Sequence, residues 1–255
     1  MKQFKFLAMA IFAMVMSIGF VACSSSDDDD NNGGGSITSG KKLMSISDDD
    51  GATASFVYGE DGKLNKALRK EGDKPDYIDV AWNGNSITIT THASWKENPC
   101  TITLKDGKIS TADDGESIQS TSYSGNFLAK TTGYYDKEYI WENGNITKVT
   151  DGEMAYTYTY YTDKVNKHSS IDIEDLRLYD AIPVEYGNLL LMAHPNLLGT
   201  SNKNLIKSVT CTGTSNDYTY NYTYNYTYEL DSDGYPTKIT EKSDARTTVY
   251  TLTWE

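Results

Sequence analysis

The sequence predicts an all-β protein, an antiparallel β-meander closed or nearly closed into a barrel, with a short helical insertion. Three observations carry this. Asp-Gly or Asn-Gly dipeptides recur between stretches in which β-branched or aromatic residues alternate with polar ones, the pattern of tight hairpins. Their glycines are Gly62, Gly84, Gly107, Gly144 and Gly234; the first three spacings are 22, 23 and 37. A hairpin unit of about 22 residues therefore repeats, with something extra between Gly107 and Gly144. Finally, the stretch YTYNYTYNYTYEL, residues 218–230, puts tyrosine at every even position from Tyr218 to Tyr228 and threonine, asparagine or glutamate at the odd ones. In an extended strand these are two opposite faces, one aromatic and one wet.

In chain order, the first element lies outside the fold. Residues 1–22 carry Lys2 and Lys5 and then an uncharged run from Phe6 to Ala22, the charged-then-apolar order of a secretory signal. At 17 residues the run is short of the roughly 20 that span a bilayer as a helix, and it stops at Cys23. This resembles a bacterial lipoprotein signal peptide. The resemblance implies cleavage before Cys23 and acylation of that residue, although Phe20 stands where leucine is commoner. A plain signal peptide or an uncleaved anchor is the alternative.

Residues 23–42 follow as a flexible acidic tether, with one isoleucine and no aromatic residue, too little apolar area to order itself. Its four aspartates, Asp27, Asp28, Asp29 and Asp30, read as a solvated spacer or, by resemblance to surface lipoproteins of Bacteroides-type bacteria, as an export signal to the outer leaflet. Removal of residues 1–22 takes away two lysines and no acid, moving the net charge from −13 to −15. Such a chain repels phosphate backbones, so nucleic acid is not an expected partner and neutral or cationic ligands are.

Residues 43–255 are expected to form a single β-barrel-like domain. The hairpins read as residues 56–68, 78–90, 101–110, 139–150 and 226–240. Residues 169–198 break the pattern: they are leucine-rich, lack alternation, and contain Pro183 and Pro195, so they read as one or two short helices forming a plug, cap or crossover. Beyond the signal only Phe56 and Phe127 are phenylalanine, against 20 tyrosines, which makes tyrosine the core filler. A 13-residue strand ending in Leu230 implies a tall barrel or a broad curved sheet about 43 Å across, with the tyrosine row packed inward. A lipid-embedded barrel would need an outward apolar band, and here the odd-numbered face is polar.

The segment NKNLIKSVT, residues 202–210, followed by the tyrosine-threonine strand and DSDGYPTKIT, resembles Bacteroides-type lipoproteins with a domain of unknown function and a porin-like fold. Tyrosine-threonine strands around Asp-Gly turns also resemble the repeats of Rhs-type shells. The first resemblance implies an anchored antiparallel barrel and brings no activity and no site.

Catalytic and metal motifs are absent from the sequence. GSITSGKK, residues 35–42, nearly spells a phosphate-binding loop but has Lys42 where the hydroxyl for magnesium is needed. His92, His168 and His194 are scattered, no Gly-x-Ser-x-Gly elbow occurs, and the partial calcium-loop stretches lack their remaining ligands, so no catalytic residue, metal or cofactor is assigned. Cys100 and Cys211 either pair in an oxidising compartment or are two buried thiols. Aromatic residues outside the row, Trp82, Trp95, Trp141, Tyr134 and Tyr135, are the candidate ligand contacts, with Trp82 and Trp141 equally able to pair across their hairpins.

The leading functional reading is a non-enzymatic, cell-surface lipoprotein held to the outer membrane by its lipid, or else facing the periplasm, that binds a glycan, host polymer or protein. The alternatives are a structural subunit of an outer-membrane assembly and a hydrolase. A binder should gather solvent-facing aromatics in one groove, a subunit should expose an apolar patch, and a hydrolase should converge carboxylates or a histidine in a pocket.

Overall fold

The computed structural model describes residues 40–255 apart from 72–74, 94–96, 169–171, 173–177 and 216–217. Cys23, Asp27, Asp28, Asp29, Asp30 and Trp95 thus lie outside the described residues.

Sixteen antiparallel strands close into one barrel in sequence order, so the meander closes completely. They are β1 (Leu43–Asp48), β2 (Thr53–Tyr58), β3 (Leu64–Lys70), β4 (Pro75–Asn83), β5 (Ser86–His92) and β6 (Glu97–Lys105). Next come β7 (Lys108–Asp113), β8 (Ile118–Ser124), β9 (Phe127–Thr132), β10 (Lys137–Glu142) and β11 (Asn145–Asp151). The last five are β12 (Met154–Val165), β13 (Asn204–Ser215), β14 (Tyr218–Leu230), β15 (Pro236–Lys242) and β16 (Thr247–Trp254). Closure is made by β1 against β16, with Ile46 opposite Leu252.

Because strands alternate in direction, turns fall at two ends. The five Asp-Gly and Asn-Gly turns predicted from the sequence lie at one, the base; there Gly62, Gly84, Gly107, Gly144 and Gly234 take positive φ between 56° and 88°, while further Asp-Gly turns at Gly51, Gly115 and Gly152 lie at the other end. The extra material between Gly107 and Gly144 is one more hairpin, β8–β9, turning at Gly125 and Asn126. The chain also enters and leaves at the base. Lys42 and Glu255 exchange backbone hydrogen bonds of 2.6 and 3.0 Å, and Lys41 Nζ reaches Asp231 at 2.7 Å and Asp233 at 2.6 Å in the β14–β15 turn.

The period of two places one apolar set on the lumen side: Phe56, Ala67, Ile78, Ile89, Ile102, Ile109, Val149, Val209 and Ile239 are buried. The opposite face is polar, and hydroxyls bridge adjacent strands there at Ser45–Thr253 (2.7 Å), Thr159–Ser208 (2.6 Å) and Thr210–Thr223 (2.9 Å). Its exposed Val57, Ile118 and Ile140 sit singly on non-adjacent strands. This is the reverse of a lipid-spanning barrel, whose apolar band faces out.

Sixteen strands at about 4.8 Å spacing, tilted by about 40°, enclose a lumen too wide for wall side chains alone to fill. The insertion fills it. A 3-10 turn (Leu178–Ala181), helix α1 (Gly187–Ala193) and a second 3-10 turn (Pro195–Leu198) bury Leu189, Leu190, Leu191, Leu197 and Leu198 against the wall. Polar contacts fix it. Leu64 N–H donates to His194 at 2.9 Å, Ile146 N–H to Asn202 at 2.7 Å, and Thr91 to the Glu185 carbonyl at 3.0 Å. Lys137, buried on β10, pairs with Asp180.

At the base an aromatic collar closes the wall. Indoles of Trp82, Trp141 and Trp254 donate to the carbonyls of Leu64, Leu128 and Pro236 at 2.9, 2.7 and 2.6 Å. Tyr58, Tyr123 and Tyr160 hydroxyls do the same to Leu43, Ile109 and Ile146 at 2.9, 2.9 and 2.5 Å. In each case a ring from the base-side part of an even-numbered strand is tied to the start of the strand before it, so the bonds join strands that the Asp-Gly and Asn-Gly turns do not connect. Register shifts at Val57/Tyr58, Ser122/Tyr123, Ile140/Trp141 and Thr159/Tyr160 re-aim four of the six rings into the lumen.

One expectation is corrected. The 13-residue β14 does not span a tall barrel: only Asn225–Leu230 pair with β15, and most other strands have six to nine residues. Accordingly Tyr226 is buried and Tyr224 and Tyr228 pack on the core, while Tyr220 and Tyr222 are each 37% exposed. A bulge between Glu229 and Leu230 leaves Leu230, the supposed end of the packed face, 38% exposed. Of the two readings of the cysteines, pairing is the one not found: Cys100 and Cys211 are both buried free thiols, on β6 and β13, seven strands apart around the barrel.

Candidate functional site

At the end opposite the base, the mouth, the barrel is open above the insertion. The opening is a cavity of about 990 Å³. Its floor is the insertion from Asp180 to Met192, and its walls come from β1, β2, β3, β16 and the β7–β8 and β9–β10 turns. Four tyrosines face it: Tyr134, Tyr135, Tyr186 and Tyr250.

The Tyr134–Tyr135 turn is a built feature. Gly133 takes φ 135°, and a Cβ there would come within 2.1 Å of the Ile118 carbonyl oxygen, so only glycine fits. The side chain of Gln119, fully buried on β8, clamps the turn from below, its Oε1 accepting the Tyr135 N–H at 3.1 Å and its amide donating to the Tyr135 carbonyl. Thr131 also donates to that carbonyl, at 3.2 Å. The rings project as an edge-to-face pair with centroids 4.5 Å apart, and Tyr134 is 65% exposed. Lys137 Nζ lies 5.1 Å from the centre of the Tyr135 ring, and a rigid backbone with an exposed Tyr134 ring suits stacking on a ligand.

Across the mouth, Tyr186 holds φ 61° at the start of α1 and donates to Asp76 at 2.8 Å. Arg69 lies over its ring at 5.3 Å. Burial, with the Asp76 bond and the Glu185 charge adding, pushes the Tyr186 phenol above its ordinary range, so it stays a hydrogen-bond donor at neutral pH. The charged lining is mostly acidic: Asp48, Asp114, Glu116, Asp180 and Glu185 against Arg69. At Asp114 burial opposes ionisation, but the N–H groups of Glu116 and Ser117 and the Ser117 hydroxyl outweigh it and hold the carboxyl below the usual range.

Of the five aromatic residues expected to contact a ligand, the structure brings two together at the mouth, Tyr134 and Tyr135. Trp82 and Trp141 sit at the base as collar residues, half-buried, and their indoles bond not across the Asn-Gly hairpins but to the preceding strands, at Leu64 on β3 and Leu128 on β9. Three mouth residues were not read from the sequence: Tyr186, Tyr250 and the clamp Gln119. Only Gln119 left a trace, as a polar residue at a lumen-facing position of β8. The histidines lie elsewhere. His92 stacks on Tyr77 at 4.4 Å on the outer wall, and His194 and His168 are at the base against Trp82 and Trp254. Among the described residues no cluster of histidine, cysteine and acidic side chains could hold a metal ion.

No protein-family model matches the chain, and no curated protein matches it. Two crystal structures share its fold. A porin-like protein from Bacteroides uniformis aligns with TM-score 0.59 at 19% identity, over 84% of this chain and 94% of that one. A porin-like protein from Bacteroides vulgatus aligns with TM-score 0.54 at 16% identity, over 83% of this chain and 98% of that one. At such identities the likeness is one of fold.

Proposed function

We propose that this is a non-enzymatic, lipid-anchored protein of the bacterial outer membrane, displayed at the cell surface, that binds an extracellular glycan in the mouth cavity. One observation carries the reading: four tyrosines share a single solvent-open cavity of about 990 Å³ at the end of the barrel opposite the point where the chain enters at Gly40. Acylation at Cys23 would attach the tether that enters at the base, the end away from the cavity. Tyrosine faces stack on the apolar faces of sugar rings, and Asp48, Glu185, Asn188 and Arg69 supply directional partners for hydroxyls. The histidines lie outside the cavity, and Asp180, the buried acid at its floor, is paired with Lys137.

The test is titration calorimetry of the purified chain against a panel of soluble plant, host and bacterial oligosaccharides. Binding to at least one glycan class, weakened tenfold or more by Tyr134→Ala with Tyr135→Ala and unchanged by Ile140→Ala on the outer wall, is the expected result. Equal affinity in all three proteins would remove the cavity from the reading. Anchoring is tested separately by labelling cells with a palmitate analogue, which should mark wild type and not Cys23→Ser; intact-cell protease shaving of an Asp27–Asp30 alanine variant tests surface display.

A further inference from the structure

β14 leaves the barrel wall halfway along its length. Its residues from Asn225 to Leu230 pair with β15, whereas Tyr218–Tyr224 pair with β13 alone among the described residues. β15 ends at Lys242, opposite Asn225, so the seven residues beyond it have one bare side of main-chain donors and acceptors. An exposed edge of this kind is a template for another strand, and proteins normally guard it with lysine, proline, a bulge or a buried charge. None is present. In a chain with 23% charged residues, Tyr218 to Tyr228 contains no charge and no proline, and its pairing with β13 runs from Tyr218 to Asn225 without a register shift.

The edge is also self-complementary. YTYNYTY, residues 218–224, reads identically in both directions about Asn221. We infer that this edge is a homophilic interface, in which two copies join antiparallel across a two-fold axis at Asn221. That register sets Tyr220 opposite Tyr222 of the partner subunit and Thr219 opposite Thr223 of the partner subunit. Tyr220 and Tyr222 are each 37% exposed before pairing, and facing aromatic and threonine pairs are favourable across strands. The same threonine contact already exists inside the chain, between Thr210 and Thr223 at 2.9 Å. β12 covers the other side of β13 as far as Gly213, so among the described residues the hairpin has no second bare edge of comparable length and the assembly closes at two copies.

The geometry sets an orientation. β14 runs from mouth to base, and antiparallel pairing turns the partner end for end. The two bases then point in opposite directions, so anchored copies join between facing surfaces rather than side by side on one. The pairing stands on the edge alone and is independent of what the mouth binds.

Cysteine cross-linking of the full chain separates this register from every other. Asn221→Cys should give a covalent dimer on non-reducing gels under mild oxidation, because the two-fold sets the residue against itself. Thr219→Cys alone should not, its symmetry mate lying four residues along the edge, yet mixed with Thr223→Cys it should cross-link. Unsubstituted protein supplies the background for its own cysteines. Asn221→Lys, which opposes two like charges at the axis, should weaken dimerisation about tenfold or more in sedimentation equilibrium. A monomer at tens of micromolar with no Asn221→Cys dimer overturns the inference. So does equal cross-linking of all three single variants, which would mean parallel pairing or collision, and so does a dimer that Asn221→Lys leaves intact.

Discussion

His194 Nε2 accepts the backbone N–H of Leu64 at 2.9 Å, and this one bond joins the end of α1 to the first residue of β3. The acceptor must be an unprotonated ring nitrogen, so the link between insertion and wall depends on proton occupancy. Burial holds His194 down to about 4, with Lys42 and Lys63 adding and Asp61 opposing. The unfolded ring titrates near the ordinary value of about 6.5.

The sign follows directly. With the folded value depressed, the unfolded state takes up the proton first, so the contribution is complete above pH about 6.5 and is lost as pH falls towards 4. The loss from this residue is about 3 kcal/mol over that window. His194→Gln retains an acceptor that does not titrate there. Urea unfolding at pH 7 and pH 4.5 should show a smaller acid loss in the variant than in wild type, and equal losses would show that the ring does not carry this linkage.

Leu64 is held from both sides, since its carbonyl accepts the Trp82 indole at 2.9 Å. Trp82→Phe keeps a ring in the collar and removes the donor, leaving a carbonyl on a fully buried residue. The expected cost is about 1–3 kcal/mol. Trp82→Ala removes the ring as well and should cost more, about 3–5 kcal/mol. Comparing the two by denaturant unfolding divides hydrogen bond from packing; a Phe variant as stable as wild type would show that the collar acts through packing alone.

The free thiols give a chemical check on the barrel. Cys100 is fully buried, and burial first, then the Asp114 charge, raise its thiol to about 12, so it is unreactive while the chain is folded. Cys211 is equally buried. A thiol reagent should label neither in native protein and both after denaturation without a reductant. Denatured protein that still resists labelling would mean a disulfide, which strands seven apart around a plugged barrel cannot form without breaking it.

The barrel was legible because its signals are local. Asp106-Gly107 and Asn143-Gly144 need positive φ wherever they occur, and alternation such as Ile87, Ile89 and Thr91 states which face is buried. The sequence leaves closure open between closed and nearly closed, because it rests on the pairing of β1 with β16, the two strands farthest apart in the chain. The mouth was less legible because its residues meet through topology. Tyr134 lies in the β9–β10 turn and Tyr186 in the insertion, with β10 to β12 between them in the chain, and nothing in either segment names the other. The tryptophans were not placed by the sequence for a physical reason: beside a turn, a ring can face solvent, cross its hairpin or turn to the preceding strand as both do here, and the register shift at Trp141 is not written as a glycine or proline.

The tyrosine row shows the same limit within one strand. Its even positions share a face by geometry, but burial depends on what lies across from them, and that changes at Asn225 where β15 ends. Below this point Tyr226 is 3% exposed and donates to Glu241 at 3.2 Å; above it Tyr222 is 37% exposed. Tyr226→Ala therefore opens a cavity and strands a carboxylate, and should cost about 3–5 kcal/mol. Tyr222→Ala loses an edge-to-face contact with Tyr224 and partial cover over Cys211, and should cost clearly less, about 1–2 kcal/mol. Thermal unfolding of dilute protein reads both, with the Phe variants beside them to separate hydroxyl from ring. If Tyr222→Ala falls as far as Tyr226→Ala, the upper half of β14 is packed after all, and the bare edge on which pairing depends is covered in solution.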